Sequence, residues 1–425
     1  MEKNMTNTTK NWQKIKLGEV CALIKGVTYK SEDYATIDDG LVFLTLKSIA
    51  KGGGFNFDGV KYYKGATITD QYVAPNDLII ANTDLTRAGD VIGAPLFIPQ
   101  IGNQKQYVFS MDITKIVADE SKLNRNYLYH YLLTSKIRNY MKGISNGSTV
   151  LHLKIKLVND LDIPLPPVEL QIKIAQILSD LDAQIRYTDQ IIQKTEILKQ
   201  GLMRELLTKG IGHKKFKKTK IGEIPEEWDI RQLNEITFNI TDGKHGDCNN
   251  ESNSGYYFVS VKDIRNGQIN YQGARQITRS DFEETHKRTK LEAGDLLLTN
   301  SGTIGRMAVV QESKYTEKTT FQKSVAVIKP DVTQVNVYYL MYSLTLVLMS
   351  LITESSGSAQ KNLLLKDLRT YKILLPSLKE QTQICEVLGG IDSKLIKERL
   401  DMKYLISLKN GLMQDIFNQK VEVKS

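Results

Sequence analysis

The chain has 425 residues, 41% of them hydrophobic and 25% charged, which excludes a disordered polymer and leaves room for two or more domains with cores of their own. Its 57 Lys and Arg against 48 Asp and Glu give a formal charge of +9, which suits a polyanionic partner without requiring one. Three scattered cysteines, Cys21, Cys248 and Cys385, exclude a disulfide framework, and the opening "MEKNMTNTTKNWQKIK" has no apolar segment of a secretory signal, so a cytoplasmic location is expected.

In chain order, the elements come twice. "WQKIKLGEVCALIKGVTYK" from Trp12 is matched by "WDIRQLNEITFNITDGKHG" from Trp228, each a tryptophan, a strand-like run and a glycine turn at Gly26 or Gly243. "FLTLKSIAKGG" from Phe43 is matched by "FVSVKDIRNGQ" from Phe258, pairing Lys47 with Lys262. "PNDLIIANTDLTRAGDVIG" from Pro75 is matched by "EAGDLLLTNSGTIGRMAVV" from Glu292, pairing Asn82 with Asn300. Short β-branched and aromatic runs between Gly, Asn and Asp predict a strand-rich domain in each copy. An apolar helix follows, over residues 126–141 and again over 337–353. The second is slightly short for a membrane span and carries Tyr, Ser and Thr, while the first contains Lys136 and Arg138, so both are expected to be half-buried.

The closest match joins "NGSTVLHLKIKLVNDLDIPLPPVELQIKIAQILSDLD" from Asn146 to "SGSAQKNLLLKDLRTYKILLPSLKEQTQICEVLGGID" from Ser356, a short strand ending at proline and then a long helix. In the first helix Leu178, Leu181, Ile185, Ile192, Leu202 and Leu206 fall on heptad a and d steps, interrupted by Thr188, Thr195 and Lys199. In the second, Leu388, Ile391, Leu395, Met402, Leu405, Leu412 and Ile416 take those steps, with Glu398 and Lys409 among the interruptions. Forty residues of helix span roughly 60 Å, and the Lys- and Gly-rich link to Trp228 is short. The expected architecture is therefore α+β: two similar strand-rich domains separated by two long antiparallel coiled-coil helices, in a pseudo-two-fold internal repeat.

These residues, with the entry "IGEIPEEW" at Ile221 to Trp228, resemble the DNA specificity subunits of type I restriction-modification systems. The resemblance covers nearly the whole chain. It implies target-recognition domain 1 over 1–160, conserved helical region 1 over 161–209, a linker over 210–225, target-recognition domain 2 over 226–370 and conserved helical region 2 over 371–425. It further implies a non-catalytic subunit that binds an asymmetric, bipartite site on double-stranded DNA. Two methyltransferase subunits and the restriction/translocase subunits would be its partners, with S-adenosylmethionine, ATP and Mg on those partners and no cofactor, metal or membrane association here. The family's Glu-Gln helix opening is kept at Glu380-Gln381 but reads Glu169-Leu170-Gln171 in the first copy, a departure read as drift at a helix start, with a weakened methyltransferase contact as the alternative. The specificity subunit of another multi-subunit, type II-like modification system and a non-DNA coiled-coil scaffold are the alternatives.

No adenine-pocket tetrapeptide and no phosphate loop appears in the sequence, so catalysis is not expected. The candidate DNA contacts are Thr28, Tyr29 and Lys30 in "GVTYK"; Lys244 and His245 in "GKHG"; Arg87 in "ANTDLTRAG"; and Ser301, Thr303 and Arg306 in "TNSGTIGR". Arginine is expected there because a guanidinium grips guanine O6 and N7 together. Lys47 and Lys262, present in both copies, suit phosphate rather than base contact, and Asn82 and Asn300 are expected to hold a shared turn. "HGDC" lacks the further ligands of a zinc site. Ser148 and Ser358 are expected at a helix cap or hinge, and the Lys run from His213 to Lys220 in a solvated linker.

Overall fold

The computed structural model describes residues 12–51, 54–86, 88–354, 362–421 and 423, and the side chains of all but 350–354 among these. The chain packs as two compact units, one of residues 1–189 and 400–425, the other of 190–399. Each strand-rich domain packs against parts of both long helices, and neither helix is a body of its own.

In the first unit, β1 (Gln13–Lys16), β2 (Cys21–Lys25), β3 (Leu41–Leu44), β4 (Leu78–Ala81), β5 (Pro95–Phe97), β6 (Tyr107–Phe109) and β7 (Ile113–Ala118) precede the helices. An antiparallel sheet runs β2-β7-β4-β5, and β3 pairs in parallel with β6. The expected helix over 126–141 is two helices, α1 (Arg125–Leu133) and α2 (Ser135–Gly143). Thr134 between them is extended at ψ 143° and its hydroxyl donates to the Tyr131 carbonyl, which ends α1. The chain then forms β8 (Leu151–Leu153), β9 (Asp162–Leu165) antiparallel to β1, and the start of α3 (Val168–Lys209). Ser148 caps no helix; it lies in the exposed turn between Ser145–Asn146 and β8, while Ser358 lies outside the described residues.

The second unit repeats this plan. Its elements are β10 (Asp229–Gln232), β11 (Thr237–Asp242), β12 (Tyr257–Val259), α4 (Arg279–Thr289), β13 (Leu296–Thr299), β14 (Met307–Val309), β15 (Thr319–Phe321), β16 (Val325–Pro330), α5 (Val337–Glu354), β17 (Lys372–Leu375) and α6 (Leu378–Phe417). The sheet order β11-β16-β13-β14 matches that of the first unit, β12 pairs in parallel with β15, and β10 pairs with β17. The expected linker is in fact a hairpin of Phe216–Thr219 with Gly222–Pro225, and buried Ile224 anchors it in the core beside Trp228. No helix among the described residues is long and apolar enough to cross a membrane.

Within each unit, part of α3 packs on part of α6. In the first, Ile174 and Leu178 share a core with Met413 and Ile416; in the second, Met203 and Leu207 share one with Ile384 and Leu388. Of the seam positions, Leu178, Ile192, Leu388, Leu395 and Ile416 are buried, and Leu181, Ile185, Leu202, Leu206, Ile391, Met402, Leu405 and Leu412 are half-buried. The two lysines that interrupt the heptads turn inward to meet carboxylates: Lys409 pairs with Asp182 in the first unit, and Lys199 with Asp392 in the second. These pairs are the same contact in the two copies, since Asp182 matches Asp392 and Lys199 matches Lys409.

Each long helix is pinned to its own domain by a buried glutamine. The Gln171 amide donates to the carbonyls of Lys122 and Pro166 and its oxygen accepts from Asn124 N–H. Gln381 does the same with Gln334, Pro376 and Asn336. Asn124 and Asn336 are the equivalent asparagines that open α1 and α5, where each side chain accepts backbone N–H groups of the first turn.

Candidate nucleic-acid interface

Topology brings the candidate loops of each unit to one sheet edge. β2 and β4 both run antiparallel to β7, so their C-terminal ends leave the sheet on the same side; β11 and β13 stand in the same relation to β16. The loops after β2 and β11 carry Thr28–Lys30 and Lys244–His245. Those after β4 and β13 carry Arg87 and Ser301–Arg306. The backbone joins them to the turns after β3 and β12 that carry Lys47 and Lys262: Ser110 N–H donates to Leu44 and Gln322 N–H to Val259, each at 2.9 Å. All the described candidates of one unit thus share one edge, and Arg87 lies outside the described residues.

Lys47 and Lys262 project from short turns built alike. Thr45 N–H is capped by the Ser48 hydroxyl and Ser260 N–H by the Asp263 carboxylate, each three residues ahead, and both capping side chains are buried. This leaves the two ammonium groups exposed, with no hydrogen-bond or ion-pair partner among the described residues. Thr28 and Lys30 are exposed as well; Lys30 lies 3.6 Å from Glu32, and the Tyr29 ring packs edge-on against Phe43. Burial pushes the Tyr29 phenol up to about 12, with the Tyr34 hydroxyl adding to the effect.

The remaining candidates are more engaged. Lys244 bridges Asp281 at 3.2 Å and Glu284 at 3.0 Å on α4. Hydrogen bonds from Asn249 N–H, Lys244 and Thr278 hold the Asp281 carboxyl down at about 2 against the opposing effect of burial. Arg306 donates to the Val261 carbonyl and so ties its loop to the Lys262 turn. Ser301 donates to Asn362 at 2.6 Å, while Thr303 is exposed and offers its carbonyl to the Thr299 hydroxyl. His245 is 61% exposed, with Nε2 3.0 Å from Asp242. Cys248 instead packs with Phe258, Ile277 and Phe282, so "HGDC" does not gather as a ligand set. Asn82 and Asn300 hold equivalent places: their N–H groups donate to Asp112 and Ser324, and their carbonyls accept from Leu153 and Leu363.

Three supporting residues carried no sequence signal. Buried Asp84 accepts Thr86 N–H and hydroxyl and the N–H groups of Val91 and Ile92, which shapes the loop after β4. Burial raises its carboxyl, but these donors outweigh burial and leave it below the usual range. Arg138 on α2 grips the same loop through the Asp90 carbonyl. Arg275 binds Asp247, the Cys248 carbonyl and Asn250, fastening the loop that follows His245.

A model of the type I restriction modification DNA specificity domain matches the chain twice, over residues 9–196 and 225–402. The type I restriction enzyme EcoBI specificity subunit of Escherichia coli is 27% identical over 397 residues, covering 88% of this chain and 78% of that one. The MjaVIII specificity subunit of Methanocaldococcus jannaschii is 25% identical over 428 residues, covering 98% and 94%. Among solved structures, a type I restriction-modification S subunit from M. genitalium superposes with a TM-score of 0.59 at 14% identity, covering 99% of each chain. A chain from a study of complex assembly and conformational transition of the type I system gives 0.57 at 18% identity, covering 96% and 98%. At these identities the structural likeness is one of fold.

Proposed function

The chain belongs to the type I restriction-modification DNA specificity family, and from that premise we propose that it is the DNA-recognition subunit of such an enzyme, reading the two halves of an asymmetric bipartite site. The observation that carries this is the repeated sheet edge: both units present the same three loops on the same backbone framework, while most side chains on those loops, Lys47 and Lys262 apart, differ. One framework with two sets of side chains suits two different half-sites. Lys47 and Lys262, exposed and unpaired among the described residues, are assigned to phosphate, because a residue common to both units cannot distinguish two sequences. Tyr29, Lys30, Lys244, Ser301, Thr303, Arg306 and Arg87 belong to the loops that follow the backbone or the base edges.

The chain is assigned no catalytic step of its own. Methylation and cleavage fall to the partners, which would hold S-adenosylmethionine, ATP and Mg. Two methyltransferase subunits are assigned to the long helices, where outward apolar residues recur at equivalent positions in both copies. Single-molecule methylation sequencing of DNA from cells that express the chain with its methyltransferase, and from cells lacking the chain, tests the proposal. N6-methyladenine in one asymmetric bipartite motif should vanish with the chain. Survival of every methylated motif would overturn the assignment.

A further inference from the structure

We propose that Thr28 and His245 occupy one equivalent base-reading position, and that the side chain there sets one base of each half-site; the inference rests on the DNA-recognition role above. The two residues are matched by backbone bonding, not only by sequence alignment. Val27 N–H donates to the Phe109 carbonyl and Lys244 N–H to the Phe321 carbonyl, each at 2.8 Å. Val27 and Lys244 accept in turn from Met111 and Lys323. The glycine before each is obligatory: a Cβ on Gly26 would lie 2.2 Å from the Phe109 oxygen, and one on Gly243 1.9 Å from the Phe321 oxygen. The next residue is therefore presented from the same rigid backbone in both units. It is exposed in both, and its identity changes from Thr to His.

Neighbouring candidates do not combine these properties. Lys47 and Lys262 are identical, and Lys244 is spent on Asp281 and Glu284. His245 is also chemically set. Asp242 on β11 accepts from Nε2, and Arg288 on α4 holds the other oxygen of that carboxylate. With Nε2 engaged by Asp242, Nδ1 is the ring's remaining hydrogen-bonding atom. From this exposed position it can meet a base edge in the major groove, and one base of the half-site of the second unit is assigned to it. Thr28 offers a hydroxyl that both donates and accepts, a different preference from the same place.

The test is methylation sequencing in a host free of adenine methylation, with the chain expressed beside its methyltransferase. His245→Thr should lower discrimination at one base pair of one half-site by about tenfold or more, leaving the other half unchanged. Thr28→His should alter one base pair of the other half alone. His245→Gln, which keeps a hydrogen-bonding group, should retain part of the preference. Unchanged methyltransferase copurification and thermal unfolding would show that the variants are folded. An unaltered motif, a uniform fall in methylation across all sequences, or changes in both halves from one substitution would each overturn the inference while leaving the recognition role intact. A wild-type chain that supports no bipartite motif would overturn the role itself.

Discussion

His130 and Tyr342 show how one position can serve the same end by different chemistry. Each comes from the helix after the sheet and faces the matched aspartate of its long helix. The Tyr342 hydroxyl donates to Asp392 at 2.7 Å, whereas His130 uses Nε2 on Ser179 and leaves Nδ1 3.9 Å from Asp182, without a hydrogen-bond partner among the described residues. Burial pulls His130 down to about 4, opposed by Asp182 and reinforced by Lys409. Because the unfolded imidazole titrates near 6.5, the unfolded chain binds more protons between the two values, so this contribution is complete above about pH 6.5 and lost as the pH falls toward 4. The loss is on the order of 3 kcal/mol. His130→Tyr, which copies the second unit, should flatten the slope of thermal midpoint against pH across that window; an unchanged slope would remove His130 as its source. The departure from Glu-Gln in the first copy also has a local reason. Glu380 accepts from the Trp228 indole at 3.0 Å, from Ile211 N–H and from His213, contacts that bind the hairpin-bearing link to the second unit. The equivalent Leu170 instead joins the apolar core with Trp12, so each copy fills this position according to its own packing.

At the scale of elements, the repeat was legible where the chain has no room to insert. The long helices keep a constant spacing of matched residues, so the seam, Gln171 with Gln381, and the "GLM" of each copy could be read from sequence alone. Where loops vary in length, reading was coarser. The break at Thr134 has no proline or glycine to announce it, and the hairpin at 216–225 is written in lysines that read as solvated link. The roles of Asp84 and Arg275 depend on partners fixed by tertiary packing, which spacing does not encode. Lys199 and Lys409 were visible only as flaws in a heptad; their reason is the carboxylate opposite. Lys409→Glu should set like charges against each other at a partly buried site and destabilise the chain by about 1–3 kcal/mol, and adding Asp182→Lys should restore most of it in thermal unfolding. Failure of the double variant to recover would mean that the pair does not act as a unit. Gly26→Ala and Gly243→Ala should each cost about 2–4 kcal/mol, because the added methyl meets backbone that cannot step aside.

For the whole molecule, the repeat also bears on how many partners the chain holds. Matched positions that point inward have an internal explanation in the cores, the glutamine pins and the ion pairs. Matched apolar positions that point outward have none. Ile177 and Val387 are 40% and 43% exposed, and Leu198 and Leu408 are 54% and 37% exposed, each pair at the same place in the repeat. Scattered apolar residues on a surface need no explanation, but apolar character kept twice at the same outward positions fits the proposed methyltransferase contact. Two copies of a face suit two copies of one protein, which agrees with the assignment of two methyltransferase subunits. Leu198→Asp or Leu408→Asp should each weaken one site and lower the methyltransferase stoichiometry from two toward one in native mass spectrometry. The double variant should lose both while thermal unfolding of the isolated chain stays within about 0.5 kcal/mol of wild type, the usual effect of a surface change. Two methyltransferases retained by the double variant would place the contact elsewhere on the helices, and loss of both from one single variant would mean that the two sites bind as one.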